Sequence, residues 1–521
     1  MKTLVCLVIS LLISGEAFSQ SKKINRPHIV LIMADDMGYS DIGSYGGEIQ
    51  TPNLDQLAND GMRFSQFYNA SICGTTRASL MTGLYHHQVG VMTWNGIRNN
   101  QCLNIGEALQ TAGYRTMMIG KWTDDISPSY KGFDRSFGSL ANAGPTNYFK
   151  MNNTDEYFLD KSVYTIPEEG FFKTDYYTDY AVEFLEEAAT LDQPFFLYVA
   201  YLAPHWPLHA KEKDIAKYRQ LYLERGWDRL RDERFKRIQA MGLLPDSPRL
   251  PRDERVPEWS SAEHKEWEAE RMSVYAAQVD CMDQNIGRIL DALKETGQED
   301  NTVIIFLSDN GATDIYPKAR KDGTFNLDKE GSTWRTDGTR THPVVPGVMP
   351  GPADTFGGYG PEWAHLSNTP IRGYKIDSYE GGIITPFIVK WPGKIPKTGQ
   401  ITQQVGHIID VMPTCLEIAN GQYPSQYKDR EILPVEGKSL VPIFEGKTRK
   451  GHEALFWELL GYRAVRKGDW KLISHKHKPW ELYNLKTDRG ETNDLANQYP
   501  DTVLELTALY TAWAKRCNAK V

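Results

Sequence analysis

The sequence predicts an α/β protein built on a large, mostly parallel sheet with helices on both faces, and three observations carry that expectation. Four apolar runs read as fully buried strands rather than alternating ones. Helical patterns lie between them, as crossover connections require. Each run also stops at residues that can hold a metal or an anion.

In chain order, "HIVLIMADDM" is apolar from His28 through Ala34 and stops at Asp35 and Asp36. A helical stretch over 53–60 follows, then "SICGTTRASLMTG", in which a helix-like run stands behind Cys73. After a helix over 104–112, "RTMMIGKW" is apolar from Met117 to Ile119 and stops at Lys121. A helix over 176–189 leads to "PFFLYVAYLAPHWP", apolar from Phe195 to Ala203 and ending at His205. The charge-dense stretch 211–271 reads as solvated surface helices inserted between core strands. A helix starting at Tyr275 then leads into "TVIIFLSDNG", which stops at Asp309 and Asn310. The Gly- and Pro-rich excursion 313–368 follows an edge residue, and long loops inside compact domains are commonly functional, so it is expected to line a pocket. "GGIITPFIVKWPG" adds a strand and "VGHIIDVMPTCLEIANG" a helix, and the chain from about 447 reads as a small α+β unit. The division expected is 1–19 as a signal peptide, 24–446 as the main domain and 447–521 as the small one.

Composition narrows the classes. A length of 521 residues exceeds one ordinary core, so a second, smaller unit is expected. The net charge of −8 comes without a basic stripe, which argues against a nucleic-acid surface. "MKTLVCLVISLLISGEAFSQ" has a lysine, a short apolar run and small residues before Gln20, the pattern of a secretory signal cleaved near Ser19. That run is too short to span a bilayer, so the mature chain is expected to be periplasmic or secreted, with no transmembrane segment. Beyond Cys6, the cysteines Cys73, Cys102, Cys281, Cys415 and Cys517 show neither zinc spacing nor a disulfide framework. At least one is therefore unpaired, and Cys73 is the candidate.

In open parallel sheets ligands bind beyond the carboxyl ends of the strands. Asp35, Asp36, Lys121, His205, Asp309 and Asn310 all fall at that edge. Each alone has a plainer reading as a turn, a helix cap or a surface charge; their convergence is harder to assign to turns. Asp35, Asp36, Asp309 and Asn310 offer only oxygen donors, which favours a hard cation, calcium before magnesium.

These segments together resemble the type I sulfatases, the formylglycine-dependent arylsulfatase family of the alkaline phosphatase superfamily. The likeness runs over "HIVLIMADDMGYSD", "TPNLDQLANDGMRFSQFY", the cysteine segment, "GYRTMMIGKW", "APHWP", "VIIFLSDNG", "SNTPIRGYKIDSYEGGIITP" and "LYNLKTDRGETNDLA". The resemblance implies an alkaline phosphatase-like fold and a formylglycine made from Cys73 by a maturation enzyme. A hydrated aldehyde offers an oxygen nucleophile to sulfur, and the hemiacetal sulfate then collapses to aldehyde and free sulfate. It further implies calcium on Asp35, Asp36, Asp309 and Asn310. Arg77 then positions the nucleophile, Lys121 and Lys375 bind sulfate, and His205 binds sulfate or protonates the leaving oxygen. If "TTRASLMTGLY" opens a helix, residue 73 stands at its N-terminus, where anions are favoured.

The chain departs from the family pattern at Thr75, which replaces the proline read by the maturation enzyme, and at Thr123, which replaces the histidine of Gly-Lys-Trp-His. That histidine takes a proton when sulfate is expelled, and a threonine hydroxyl lacks the basicity to do so. Asp124, Asp125, His86 and His87 are the candidates to replace it, and slow turnover or a loop rearranged around an unusual substrate are the alternatives. In "FWELLGYR", Leu459 and Tyr462 stand where the family often has histidine and asparagine, a change expected to affect substrate choice. The leading expectation is a sulfatase acting on a sulfated carbohydrate, an algal or host polysaccharide fragment, with Thr123 among its substrate contacts. A weakly active relative that binds sulfated glycans is the second reading. A phosphohydrolase of the same fold is the third, disfavoured by the scarcity of histidines at the strand ends.

Overall fold

The computed structural model describes residues 26–93, 96–124, 126–140, 147–150, 155–244, 250–315, 342–476 and 478–520. The signal sequence, Asp125 and positions 316–341 of the Gly/Pro-rich excursion lie outside them.

The main sheet contains β1 (His28–Ala34), β2 (Met62–Tyr68), β3 (Arg115–Trp122), β4 (Arg135–Leu140), β5 (Glu156–Leu159), β6 (Ser162–Tyr164), β7 (Phe195–Ala200), β8 (Thr302–Ser308), β9 (Ile384–Lys390) and β10 (Gln400–Thr402). Their spatial order is β10-β2-β9-β8-β1-β7-β3-β4-β5-β6, and Gly406–His407 pairs with β2. The four strands expected from the apolar runs are the adjacent, mutually parallel centre β8-β1-β7-β3. Burial on both faces explains their unbroken apolar sequences: every residue of β1, β7 and β8 is buried. β9 is antiparallel to both its neighbours, and β5 and β6 extend the far edge as an antiparallel hairpin, so the sheet is mixed but mostly parallel.

Helices α1 (Pro52–Asp60), α2 (Cys73–Thr82), α3 (Ile105–Thr111) and α4 (Lys173–Ala189) follow the pattern expected, within a few residues at their ends. Asn104 starts α3 with a capping box, its side chain accepting from Gly106 while Glu107 returns to the Asn104 N–H.

Two expectations for the inserted region are corrected. The helix leading into β8 begins at Lys265, ten residues before Tyr275, and runs to Glu295. Its charged first turn hid the start from apolar periodicity, although Glu266 and Glu268 suit a helix N-terminus. Nor is Arg219–Met241 merely solvated: Arg234 is fully buried, with Asp41 at 2.8 Å and Glu48 at 2.7 Å. A compensated guanidinium can be buried where an unpaired one cannot, so charge density alone misread this face.

The C-terminal unit is an antiparallel sheet of Leu455–Leu459, Tyr462–Lys467, Trp470–His475 and Glu481–Asn484, with the helix Pro500–Cys517. It docks by polar contacts as well as apolar ones; the Trp457 indole N–H donates to the Asn69 carbonyl at 2.7 Å. Cys73, Cys102, Cys281, Cys415 and Cys517 are all free and buried. No described helix is long and apolar enough to cross a membrane.

Candidate active site

Strand register builds the site. Met33 and Gly120 both pair with Ala200, and Ala34 pairs with Ser308, so the central strands end nearly in line. The residues just beyond them, Asp35, Asp36, Asp309 and Asn310, share one buried edge with Lys121 of β3. Asp36 has φ of 64°, a conformation uncommon outside glycine, as has Ser71 at 71°. Ile376, beside Lys375, has φ of 81° although it is β-branched, and its N–H donates to the Ser71 carbonyl at 2.9 Å. Backbone strain thus collects where the Lys375 loop meets the segment entering α2.

Cys73 is the first residue of α2, and all ten residues of that helix are buried. The Cys73 thiol and carboxylate oxygens of Asp35 and Asp309 lie within 4.8 Å of one another. Thr75, at the proline position of the family, turns its hydroxyl back to the Ala70 and Ile72 carbonyls at 2.5 and 3.1 Å and so ties down the entry to α2. One turn on, Arg77 grips the Asp309 carboxylate through Nε at 3.2 Å and Nη2 at 2.9 Å, and its Nη1 donates to the Tyr198 hydroxyl at 3.1 Å.

Two lysines flank the centre. Lys121 pairs with Asp35, and Lys375 reaches the Asp36 carboxylate at 2.6 Å. His205 lies 3.5 Å from Asp36 through Nε2, while its Nδ1 is engaged by the Trp206 carbonyl. Burial lowers His205 to about 4 against the opposing pull of Asp36 and Asp35. Burial raises the Cys73 thiol, with Lys121 and Lys375 opposing. Burial would also raise Asp35, yet Lys121, His205 and Arg77 hold it below the ordinary carboxylate range. Asp309 moves up through burial and the nearby Asp35 charge.

The donor chemistry fits a hard cation. Asp35 Oδ1, Asp36 Oδ2 and Asn310 Oδ1 are buried acceptors without a hydrogen-bond partner. Asn310 spends its Nδ2 on Asp36 at 2.7 Å, which leaves its oxygen to complete this oxygen-only set. Such orphaned acceptors are expensive unless a cation or water meets them.

All of the sequence-expected site residues, Cys73, Arg77, Lys121, His205, Lys375, Asp35, Asp36, Asp309 and Asn310, converge here. Thr123 lies just past β3 and lines a narrow cavity with Gly74, Arg77, Lys121 and Asp124. His86 and His87 do not reach in: His86 bonds the Val91 carbonyl at 2.6 Å and His87 the Glu458 carboxylate at 3.0 Å. Sequence reasoning missed Tyr198, a hydroxyl inside an otherwise apolar strand. It also missed Asn368, whose amide pins Ala312, Gly373 and Gly381 around the Lys375 loop.

A family model described as Sulfatase matches residues 27–421, and one described as N-sulphoglucosamine sulphohydrolase, C-terminal, matches residues 375–510. The chain is 34% identical to an uncharacterised sulfatase of Schizosaccharomyces pombe, over 94% of each chain. It is 31% identical to an arylsulfatase of Klebsiella aerogenes, over 86% of this chain and 98% of that one. Among solved structures, Ps i-CgsB in complex with k-i-k-neocarrahexaose aligns with a TM-score of 0.66 at 24% identity, over 94% of this chain and 93% of that one, a likeness of fold. The catalytic-edge geometry, the full-length relatives and the matched domain agree: the chain belongs to the sulfatase family of sulfuric ester hydrolases.

Proposed function

We propose that this protein removes sulfate from a sulfated carbohydrate, an algal or host polysaccharide fragment, using a formylglycine made from Cys73 and a bound calcium ion. One observation carries the reading: the Cys73 thiol sits at the start of a buried helix beside Asp35 and Asp309, with Lys121 and Lys375 pointing their cations into the same acidic cluster. Formylglycine supplies an oxygen nucleophile at residue 73. Calcium would be held by Asp35, Asp36, Asp309 and Asn310, and it would draw a sulfate oxygen toward them.

The chain's own groups account for the rest. Lys121 and Lys375 neutralise the substrate sulfate, and the N–H groups that open α2 favour the same anion. Arg77, fixed by Asp309 and Tyr198, holds the side chain of residue 73 toward sulfur. His205 lies beside Asp36, and with its Nδ1–H held by the Trp206 carbonyl it gives an Nε2 proton to the leaving oxygen once a bound sulfate favours its imidazolium form. With His205 as the one histidine among the described metal-capable clusters, the donor set favours this reading over a zinc phosphohydrolase.

The carbohydrate part is supported by relatives named N-acetylglucosamine-6-O-sulfatase, from Bacteroides thetaiotaomicron, and N-acetylgalactosamine-6-sulfatase, from rat, at 26% and 28% identity. The division into 24–446 and 447–521 gives the small unit, with Leu459 and Tyr462, the task of shaping the substrate rim. The opening residues support export to the periplasm or beyond, where sulfated glycans are met.

The test is sulfate release from a panel of sulfated oligosaccharides by protein co-produced with a formylglycine-generating enzyme, with mass analysis of the residue-73 peptide. Release by the parent and none by Cys73→Ala is expected. Equal release by both removes the proposal.

A further inference from the structure

Thr123, which stands where the family pattern has histidine, lines a cavity of about 20 Å³ between the first turn of α2 and the end of β3. A space of this size can hold a water, since roughly 10–15 Å³ suffices for one. Its wall is suited to holding one. Thr123, Asp124, Lys121 and Arg77 contribute polar groups, while Met81 and Val91 contribute apolar ones that limit where a water can sit. A buried water needs two to four polar partners, and Thr123, Asp124, Lys121 and Arg77 are the polar side chains nearest to hand on this wall along with Tyr198. Cys73 is not itself on this wall, but its chain neighbour Gly74 is, and so are Lys121 and Arg77, whose charges both act on the Cys73 thiol.

Asp124 is the anionic group among those lining side chains. Its side chain is 13% exposed, which lets a proton collected there leave to solvent, and it lies 3.5 Å from Lys131. Gly96 packs closely against its carboxylate: a Cβ at that position would come within 2.7 Å of the Asp124 oxygen. The lack of a side chain at Gly96 thus leaves room for the carboxylate on the cavity wall.

We propose that this cavity holds a water that carries the proton of the residue-73 hydroxyl to Asp124 when sulfate is expelled. A Thr123-water-Asp124 relay then does the work of the missing imidazole. The step is redox-neutral. The hydroxyl O–H bond breaks and its electron pair becomes the second bond of the carbonyl. The C–O bond to sulfate breaks with its pair leaving on sulfate. The hydroxyl proton passes to the water as a water proton passes to the Asp124 carboxylate. Thr123 positions the water through its hydroxyl, and Asp124 acts through that water rather than on the substrate.

The inference rests on the formylglycine reading above, and its test separates the two. With a small aryl sulfate, the first turnover reports formation of the sulfated enzyme and the steady state reports its breakdown. Asp124→Asn should keep the burst and lower steady-state turnover roughly 100-fold. The sulfated protein should accumulate, visible as one added sulfate in its intact mass. Thr123→Val, which keeps the side-chain shape and removes the hydroxyl, should show the same split in weaker form, so a misfolded Asp124→Asn does not shelter the idea. A crystal structure of the unmodified chain should contain water bonded to Thr123 and Asp124. An unchanged steady state in both variants, burst and turnover falling together, or a dry cavity overturns the relay. No sulfate release from the parent overturns the hydrolase reading and the relay with it.

Discussion

Lys471 and Glu380 form an ion pair of 2.9 Å with both side chains wholly withdrawn from water. The pair joins the small C-terminal sheet to the stretch that runs from Lys375 to Glu380. Glu380 also accepts from the Tyr68 hydroxyl at 2.7 Å and pairs with Arg489 at 2.9 Å, while Lys471 reaches Glu491 at 2.8 Å. Removing Lys471 leaves Glu380 with Arg489 and takes away the cation that Glu491 pairs with, so two buried carboxyls are one cation short and Lys471→Met should cost about 3–5 kcal/mol. A lowered urea midpoint measures it. Lys471→Met with Glu380→Gln should cost less than the sum of the two single changes, because the second removes one of the two carboxyls that the first leaves a cation short. Strict additivity would refute this account of the lock.

The same lock predicts a pH dependence. Burial, with the Glu380 charge and against Lys471, raises Glu491 from an ordinary 4.5 to about 7. A carboxyl raised on folding holds its proton more tightly in the native state. Its contribution to stability is complete below about 4.5 and is lost as pH rises through about 7. Glu380 goes the other way, to about 2 despite burial, because Lys471, Arg489 and Arg466 favour its charge; that contribution is present above 4.5 and is lost in acid. Between about pH 5 and 7 the melting temperature of the parent should therefore fall more steeply than that of Glu491→Gln. Parallel curves would show that Glu491 is already charged in the folded chain.

Calcium should stabilise the fold independently of any modification of Cys73. Asp35 Oδ1, Asp36 Oδ2 and Asn310 Oδ1 lack hydrogen-bond partners in the folded chain, and a cation that meets them binds the native state alone. At about 100 times its dissociation constant such an ion adds about 2.7 kcal/mol. The gain should appear in thermal melts of Cys73→Ala, disappear with chelator and shrink strongly in Asn310→Ala. Magnesium should do less, because it demands a tighter octahedral shell. Identical melts with and without calcium would deny the cluster a metal.

Much of this site was legible because its residues end buried parallel strands. The register that sets Met33 and Gly120 against Ala200 turns four separate sequence positions into one edge, so apolar runs alone located Asp35, Lys121, His205 and Asp309. Lys375 sits on a loop without such a marker, and only family resemblance found it; the loop is set by Asn368 and by the Ile376–Ser71 backbone contact. The Glu380–Lys471 lock spans 91 positions and joins residue types that normally signal surface, so no local pattern reveals it. Arg234 was misread for the same reason. Asp124 could be named from its letter, but its value depends on a cavity, and cavities belong to packing.

Thr123→His tests that cavity from the opposite side. An imidazole at this position takes up the space that the water would occupy, and it brings its own base next to residue 73. The relay then becomes dispensable. Activity toward a small aryl sulfate should be kept or raised, and adding Asp124→Asn should now change turnover little, whereas in the Thr123 parent the same change lowers it roughly 100-fold. The comparison is a double-mutant cycle in which the coupling between positions 123 and 124 is itself the measured quantity. A structural role for Asp124, such as bracing Gly96 or pairing with Lys131, would weaken the enzyme equally with either residue at position 123. If Thr123→His abolishes activity, the threonine has a function that an imidazole cannot fill, and the cavity is shaped for something other than a transferred proton.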